Sequence, residues 1–316
     1  MTDTWIELCA GSAAVALVLL LGEGAEAPVP YLGGKRRLAC PILSAFGLRP
    51  GQGARRVILI EQGIWAEVHL TLRDEGGEVL LHLHNLQRRM VMDFRSSPFL
   101  IWRELHSEDV PESRSQRVAT WLALQSGAAA GKPVHIVNNR WKSAGYAAIT
   151  DKAAERGYHE RPQFGRIMKL TSRMIDAWKR TDLVVIQADL SATPVHRLLS
   201  SAHMEEADVL IDPPYANSRS RYPASLGRED VKAAALACLD RNAVVGICES
   251  EPINLVYRER GMMGIETPWP SIDLSEAQGT WCGKKGASEW LTISRRCQPF
   301  QAAPLFGGLR LSGSEA

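Results

Sequence analysis

Several common ingredients are scarce in this 316-residue chain. Net charge is only +2, so the overall balance does not announce a polyanion partner. The six cysteines (Cys9, Cys40, Cys238, Cys248, Cys282, Cys297) form no Cys-x-x-Cys pair and show no ligand-like spacing with histidine. That pattern argues for buried, reduced thiols in an intracellular protein and against a metal centre. The longest apolar run, residues 13–21, falls far short of the ~20 residues a membrane span needs and reads as a buried helix. An acidic rather than basic N-terminus gives no expectation of a signal peptide. No Gly-Lys-Ser/Thr loop and no complete dinucleotide glycine set occurs, so nucleoside triphosphate and NAD are poorly supported.

What is present is ordinary globular material, 45% hydrophobic and 23% charged, enough for one large or two modest domains. The charge is unevenly spread. Residues 132–180 hold eleven Lys/Arg and four acids, a net +7, which leaves −5 for the remainder. A polyanion partner accounts for such a basic segment, and so does a solvated face.

Strand-like apolar runs end repeatedly in an acid. Trp5-Ile6 leads into Glu7, residues 56–60 into Glu61, residues 183–188 into Asp189, and residues 208–211 into Asp212. A fifth run, 243–248, precedes Glu249. Helical patterns over 13–21, 36–46, about 229–239 and 253–260 alternate with them. The alternation predicts a doubly wound, mostly parallel α/β sheet. Residues 262–267 and 289–294 are expected as two last antiparallel strands, and residues 298–316, rich in Gly, Ser and Pro, as a loose tail. The stretch between Glu61 and Asp189 is too long for one crossover; it opens with an amphipathic piece at 66–72, and about 95–182 is read as an inserted, mostly helical lobe. In it, residues 165–180 suit a helix, or a shorter one that starts only at Thr171 or Ser172 as N-cap. Ile167, Leu170, Met174, Ile175 and Trp178 would face its core, and Arg166, Lys169, Arg173 and Arg180 outward.

The chemistry concentrates in short motifs. Asp212-Pro213-Pro214-Tyr215 follows an apolar run directly, and its prolines end the ladder and hold the chain extended. An acid, fixed carbonyls and a ring at a strand's carboxyl end form a site for a planar group bearing an NH2. A plain strand exit and a short polyproline ligand fit the same tetrapeptide. Glu7-Leu8-Cys9-Ala10-Gly11-Ser12 joins the first strand to an apolar helix, a layout that lets a ligand approach backbone N–H groups at a helix start. Tyr31-Leu32-Gly33-Gly34-Lys35 combines a freed backbone with a cation ahead of another helix. Glu61 sits where an acid commonly accepts from ribose hydroxyls.

Taken together, these segments resemble the DNA adenine methyltransferase family, amino-methyltransferases that use S-adenosylmethionine. Asp212-Pro213-Pro214-Tyr215 matches the family's catalytic motif, and Tyr31 to Lys35 its glycine-glycine-lysine motif at the methionine end of the cofactor. The segment from Glu7 through Cys9, Ala10, Gly11 and Ser12 is similar to its cofactor loop. Glu61 and Asp189, with Leu190, fall where its ribose- and adenine-binding acids lie, and Asp212 also borders the cofactor. Glu289-Trp290-Leu291-Thr292 resembles its last-strand motif. Several tailed-phage members are similar over nearly the whole length. In two respects the chain departs from the family. Leu8 and Ala13 or Ala14 stand where the cofactor loop usually has its proline and second glycine. Gly33-Gly34-Lys35 also follows the first strand and helix instead of preceding them, so it must reach the pocket by another connection.

The resemblance implies a Rossmann-like methyltransferase sheet over 1–94 and 183–297, with 95–182 as a basic DNA-recognition insertion. It implies S-adenosylmethionine as cofactor, S-adenosylhomocysteine as product, and no metal. DNA is the implied partner of a cytoplasmic monomer or homodimer, in a bacterial or phage-infected cell and of the restriction-modification type. Arg140, Lys142, Arg161, Arg166, Lys169 and Arg173 are the candidate DNA contacts. The reaction implied is methyl transfer to the N6 amine of a flipped-out adenine. Asp212 and the Pro213 carbonyl would accept from the NH2, Pro214 would hold the turn rigid, and Tyr215 would stack on the base. No Pro-Cys nucleophile of carbon-5 cytosine chemistry is present. Other acceptors remain open: cytosine, RNA adenine, a protein amide. So does a catalytically silent DNA-binding subunit of this fold.

Overall fold

A computed structural model describes residues 2–30, 35–146, 161–188, 206–213, 228–250, 269–274, 289–294 and 311–312. The chain divides into two compact units. One holds the described residues of 1–25, 35–62 and 181–316, and the other those of 26–34 and 63–180.

The first unit is built on β1 (Thr2–Leu8), β2 (Ala54–Glu61), β5 (Asp182–Gln187), β6 (Asp208–Ile211), β7 (Val244–Glu249), β8 (Ser271–Asp273), β9 (Trp290–Ile293) and β10 (Leu311–Ser312). They form one sheet in the order β10-β8-β9-β7-β6-β1-β2-β5. β5, β2, β1, β6 and β7 are mutually parallel. β9 runs antiparallel to β7 on one side and to β8 on the other. This is the expected doubly wound, mostly parallel sheet, with the late antiparallel strand β9 inserted beside β7. The expected strand at 262–267 and helix at 253–260 lie outside the described residues. The tail expected to be loose over 298–316 contributes a short strand, β10, paired with β8.

The runs are apolar at nearly every position because both faces of a parallel sheet are covered. Ile6, Leu8, Ile58, Ile60, Val209, Ile211, Val245 and Ile247 share one face. Against it pack Val231, Ala234, Ala235 and Cys238 of α7 (Arg228–Leu239). The alternate residues of the strands point the other way. Among them, Trp5 meets Phe46 edge-on at 5.1 Å, just past α2 (Ala39–Ala45). α1 (Ala14–Leu21) is buried almost throughout, as its unbroken apolar run demands.

Gly246 shows how close this packing is. A Cβ there would lie 2.6 Å from Phe46 Cζ and 3.1 Å from Leu291 Cδ1. Gly246→Ala is therefore expected to cost about 1–3 kcal/mol through overpacking. Urea unfolding would show it as a lower midpoint, and Phe46→Leu in the same background should recover part of the loss.

The second unit is helical. It contains α3 (Ile64–Asp93), α4 (Pro98–Ser107), α5 (Arg114–Gly127), α6 (Phe164–Lys179) and a small hairpin, β3 (His135–Val137) with β4 (Arg140–Lys142). Besides the described residues of 26–34, it holds the continuous stretch from Gly63, which includes α3 ahead of the lobe expected at 95–182. α3 is kinked at Glu75, whose φ of −126° and ψ of 24° are not helical, and the amphipathic piece at 66–72 lies before that kink. Trp65, Val68, His69, Leu72, Val79 and Leu83 are all buried on α3. Gly76 lets it meet α6 closely, since a Cβ there would lie 2.7 Å from Ile175 Cδ1. α6 runs unbroken from Phe164 with Gln163 as its N-cap, so Thr171 and Ser172 are interior positions, not caps. Its buried residues include Ile167, Leu170, Met174, Ile175 and Trp178, as expected. Trp102, Trp121, Trp141 and Trp178 are buried core side chains.

Candidate active site at the carboxyl edge of the sheet

Register places the motif acids together. Leu8 is level with Ile60 on one side and with Ile211 on the other. The chain after β1, the end of β2 and the exit of β6 therefore leave the sheet at one height. The Asp212 amide continues the ladder by donating to the Leu8 carbonyl at 3.1 Å, and Pro213, without an N–H, ends it.

Glu7 points to the α1 side of β1 and is buried. Its Oε1 accepts from the Ala16 amide at 2.6 Å and from Trp5 Nε1 at 2.9 Å. The side chain thus satisfies an orphan donor in the first turn of α1, as a capping carboxylate does. Burial pushes its carboxyl up to about 7, against the pull of those two hydrogen bonds.

The loop from Cys9 to Ala13 is tight. Cys9, Gly11 and Ala13 have φ of 58°, 48° and 50°. For Cys9 and Ala13 that region is disfavoured and must be held by neighbours. The holding bonds are visible. The Cys9 and Ala10 amides donate to the Ile60 carbonyl, and the Ala13 amide donates to the Ala10 carbonyl. The Gly11 amide donates to Glu61 Oε2 at 2.8 Å. The amides of Cys9, Ala10, Gly11, Ala13 and Ala16 are spent within the chain. Ser12 is buried in the same turn.

Lys35 is the decisive side chain. It lies between α1 and α2 in sequence, yet its ammonium reaches the β6 exit. Nζ is 2.7 Å from Asp212 Oδ1 and 3.4 Å from Glu289 Oε1, with only 9% of the lysine side chain exposed. Lys35 and Asp212, far apart in sequence, thus meet at one strand end. Burial pulls the ammonium down, but Asp212 and Glu289 beside it more than reverse this, and Lys35 stays charged above the ordinary lysine range. Burial raises the Asp212 carboxyl, with Lys35 opposing. Burial likewise takes Glu289 to about 7, again against Lys35.

Two neighbours escaped the sequence reading. Glu289 arrives because β9 is antiparallel, so the residue before it lies at the carboxyl edge of its parallel neighbours. Its signal was its place at the head of the last-strand motif. Cys248, next to the end of β7, completes a trio with Asp212 and Glu289 whose ligand-type atoms lie within 4.8 Å of one another. The cation among them is the Lys35 ammonium. Burial lifts the Cys248 thiol well above the ordinary range, with Asp212 adding to the effect, so it is neutral.

Among the described residues, this edge gathers four acids (Glu7, Glu61, Asp212, Glu289), with Lys35 between the last two. Such a set repels a phosphate chain and suits a cation. Tyr31, Leu32, Gly33, Gly34, Asp189, Leu190, Pro214 and Tyr215 lie outside the described residues.

The candidate DNA contacts fall in the helical unit. Arg140 pairs with Asp109 at 3.1 Å, and Arg166 Nη2 with both Glu26 oxygens at 2.9 Å. Both arginines remain more than half exposed, so these pairs are weak and exchangeable. Lys142, Lys169 and Arg173 are exposed, and Arg161 is half-buried.

No protein-family model matches the chain. No curated protein matches it either. Among solved structures, it is similar to the rRNA methyltransferase AviRa from Streptomyces viridochromogenes, at 15% identity and a TM-score of 0.33. The match covers 92% of this chain and 76% of that one. So slight a likeness does not decide the fold, which rests on strand order and register.

Proposed function

We propose that this chain is an S-adenosylmethionine-dependent methyltransferase acting on the exocyclic N6 amine of an adenine flipped out of DNA. The observation that carries the reading is the 2.7 Å contact between Lys35 and Asp212. Two motifs 177 positions apart in sequence, each matched to the same family, meet at one strand end. Strand order supports it too, with an antiparallel β9 between β7 and β8.

The donor set suits this cofactor. A sulfonium carries positive charge, and the carboxylate-rich edge favours a cation. Glu61, at the end of β2, stands where ribose hydroxyls are accepted. Tyr31, Leu32, Gly33, Gly34, Asp189 and Leu190 are proposed to complete the pocket with Cys9, Ala10, Gly11 and Ser12. Glu7 is assigned a supporting role, because its Oε1 is engaged by Trp5 and Ala16. When bound, the cofactor supplies an electrophilic methyl carbon on sulfur.

The chain's own residues prepare the amine. The adenine lone pair is delocalised into the ring and is a poor nucleophile. Lys35 fixes Asp212 Oδ1, which leaves Oδ2 to accept one N–H. The Pro213 carbonyl accepts the other, and Tyr215 stacks on the base. These acceptors match the positive charge that develops on nitrogen as the N–C bond forms and the S–C bond breaks. The surplus proton leaves to Asp212 or water. Extruding the base costs a few kcal/mol. The outward basic face of α6, with Lys169 and Arg173, and the Arg140 and Lys142 hairpin supply the phosphate contacts that offset it.

The test combines calorimetric titration of S-adenosylmethionine with transfer of tritiated methyl to DNA, each base being separated after digestion. Label in N6-methyladenine is expected. No cofactor binding and no labelled nucleic acid would overturn the reading. Label confined to cytosine or to RNA would replace its substrate.

A further inference from the structure

We propose that Glu289 is a positioning residue, one that holds the Lys35 ammonium between two carboxylates and so sets how strongly Lys35 neutralises Asp212. The inference rests on the methyl-transfer reading for its catalytic consequence, but its geometry stands apart from it.

A lysine ammonium on a four-carbon stem is a mobile point charge. Lys35 is buried, and its Nζ lies against Asp212 on one side and Glu289 on the other, at 2.7 and 3.4 Å. Both acids are largely buried as well, with 18% and 7% of their side chains exposed. In such surroundings a neighbouring charge is felt strongly. One ammonium shared by two carboxylates leaves net negative charge on the pair. Protonating Glu289 leaves the ammonium to Asp212 alone and makes Asp212 a weaker acceptor.

The other groups around Glu289 do not replace it. Cys248 on β7 is a neutral thiol. Glu249 on β7 is buried, and its Oε2 accepts from the Ser250 amide. Glu7 on β1 is tied to Trp5 and Ala16. Asp273 on β8 lies opposite Trp290, one residue further along. Burial places the Glu289 titration at about 7. The two states, shared and unshared, therefore interchange near neutral pH.

The experiment pairs a pH–rate profile under saturating cofactor with 13C NMR titration of the Asp212 carboxyl, in wild type and in Glu289→Gln. The wild-type rate is expected to rise through about pH 7 by at most about tenfold, the effect of a one-unit change in Asp212 basicity. Glu289→Gln should lose that rise, match wild type below it, and shift the Asp212 titration to lower pH. An Asp212 titration unchanged by the substitution would overturn the proposal, even with active enzyme. A chain that transfers no methyl group would overturn the functional reading and still leave the NMR comparison to decide this one. Should Glu289→Gln fail to fold, wild type alone answers. The Asp212 carboxyl must then show a second inflection at the Glu289 titration, and a single inflection would overturn the proposal.

Discussion

Asp212→Asn is expected to lower methyl transfer by about 10²–10³-fold, the loss typical when one prepositioned polar partner of a developing charge is removed. The amide is nearly isosteric but neutral, and it presents an NH2 where the substrate amine needs an acceptor. Stability should suffer less than activity. Breaking a buried ion pair is costly when it strands the partner, about 3–5 kcal/mol. Here Lys35 keeps Glu289 at 3.4 Å, so the stranded-charge penalty is only partial. Single-turnover transfer beside a cofactor titration separates the effects. Slow transfer with near-normal cofactor affinity is expected. Activity near wild type would remove Asp212 from the catalytic assignment.

Lys35→Met should have the larger effect on the fold. It leaves Asp212 and Glu289 buried together with no ammonium between them, with Glu7 close enough to add to the repulsion. A loss of about 3–5 kcal/mol at neutral pH is expected. Its pH dependence has a definite sign. Both acids have raised values in the folded protein, to about 7 for Glu289 even with Lys35 present. Without Lys35 they rise further, so the folded state binds more protons than the unfolded one across the interval between ordinary and raised values. Stability then falls as pH climbs through that interval. Urea midpoints at pH 5 and pH 8 should show the variant close to wild type at the lower pH and far below it at the higher. A deficit equal at both would mean that lost packing of the lysine stem, not charge, is responsible.

The sheet was legible because its strands are continuous apolar runs ended by acids or prolines, a pattern few other elements share. The two prolines after Asp212 mark a strand exit, and only the other motifs point from there to chemistry. Lys35 could be read as a cation after two glycines, but not as a partner of Asp212, since only the fold closes that distance. Glu289 was hidden for the same reason. Its role depends on β9 reversing direction, and nothing in Glu289-Trp290-Leu291-Thr292 encodes which neighbour that strand joins. α3 carries Gly76 and Gly77, and its backbone leaves helical geometry right beside them, at Glu75. Gly76 also packs on Ile175, whose Cδ1 would lie 2.7 Å from an added Cβ, so the same glycine marks a kink and a close contact.

The position of β9 also bears on how the chain assembles. β8 is synthesised first, yet β9 lies between it and β7. A nascent chain ending near Leu274 can form the five parallel strands but cannot attach β8 to them. During that interval Lys35 faces Asp212 without its second carboxylate. Insertion of β9 joins the late strands to the sheet and delivers Glu289 in one event. Pulse-labelled hydrogen exchange during refolding should therefore find the amides of β8 and β9 protected together, after those of β1, β2 and β6.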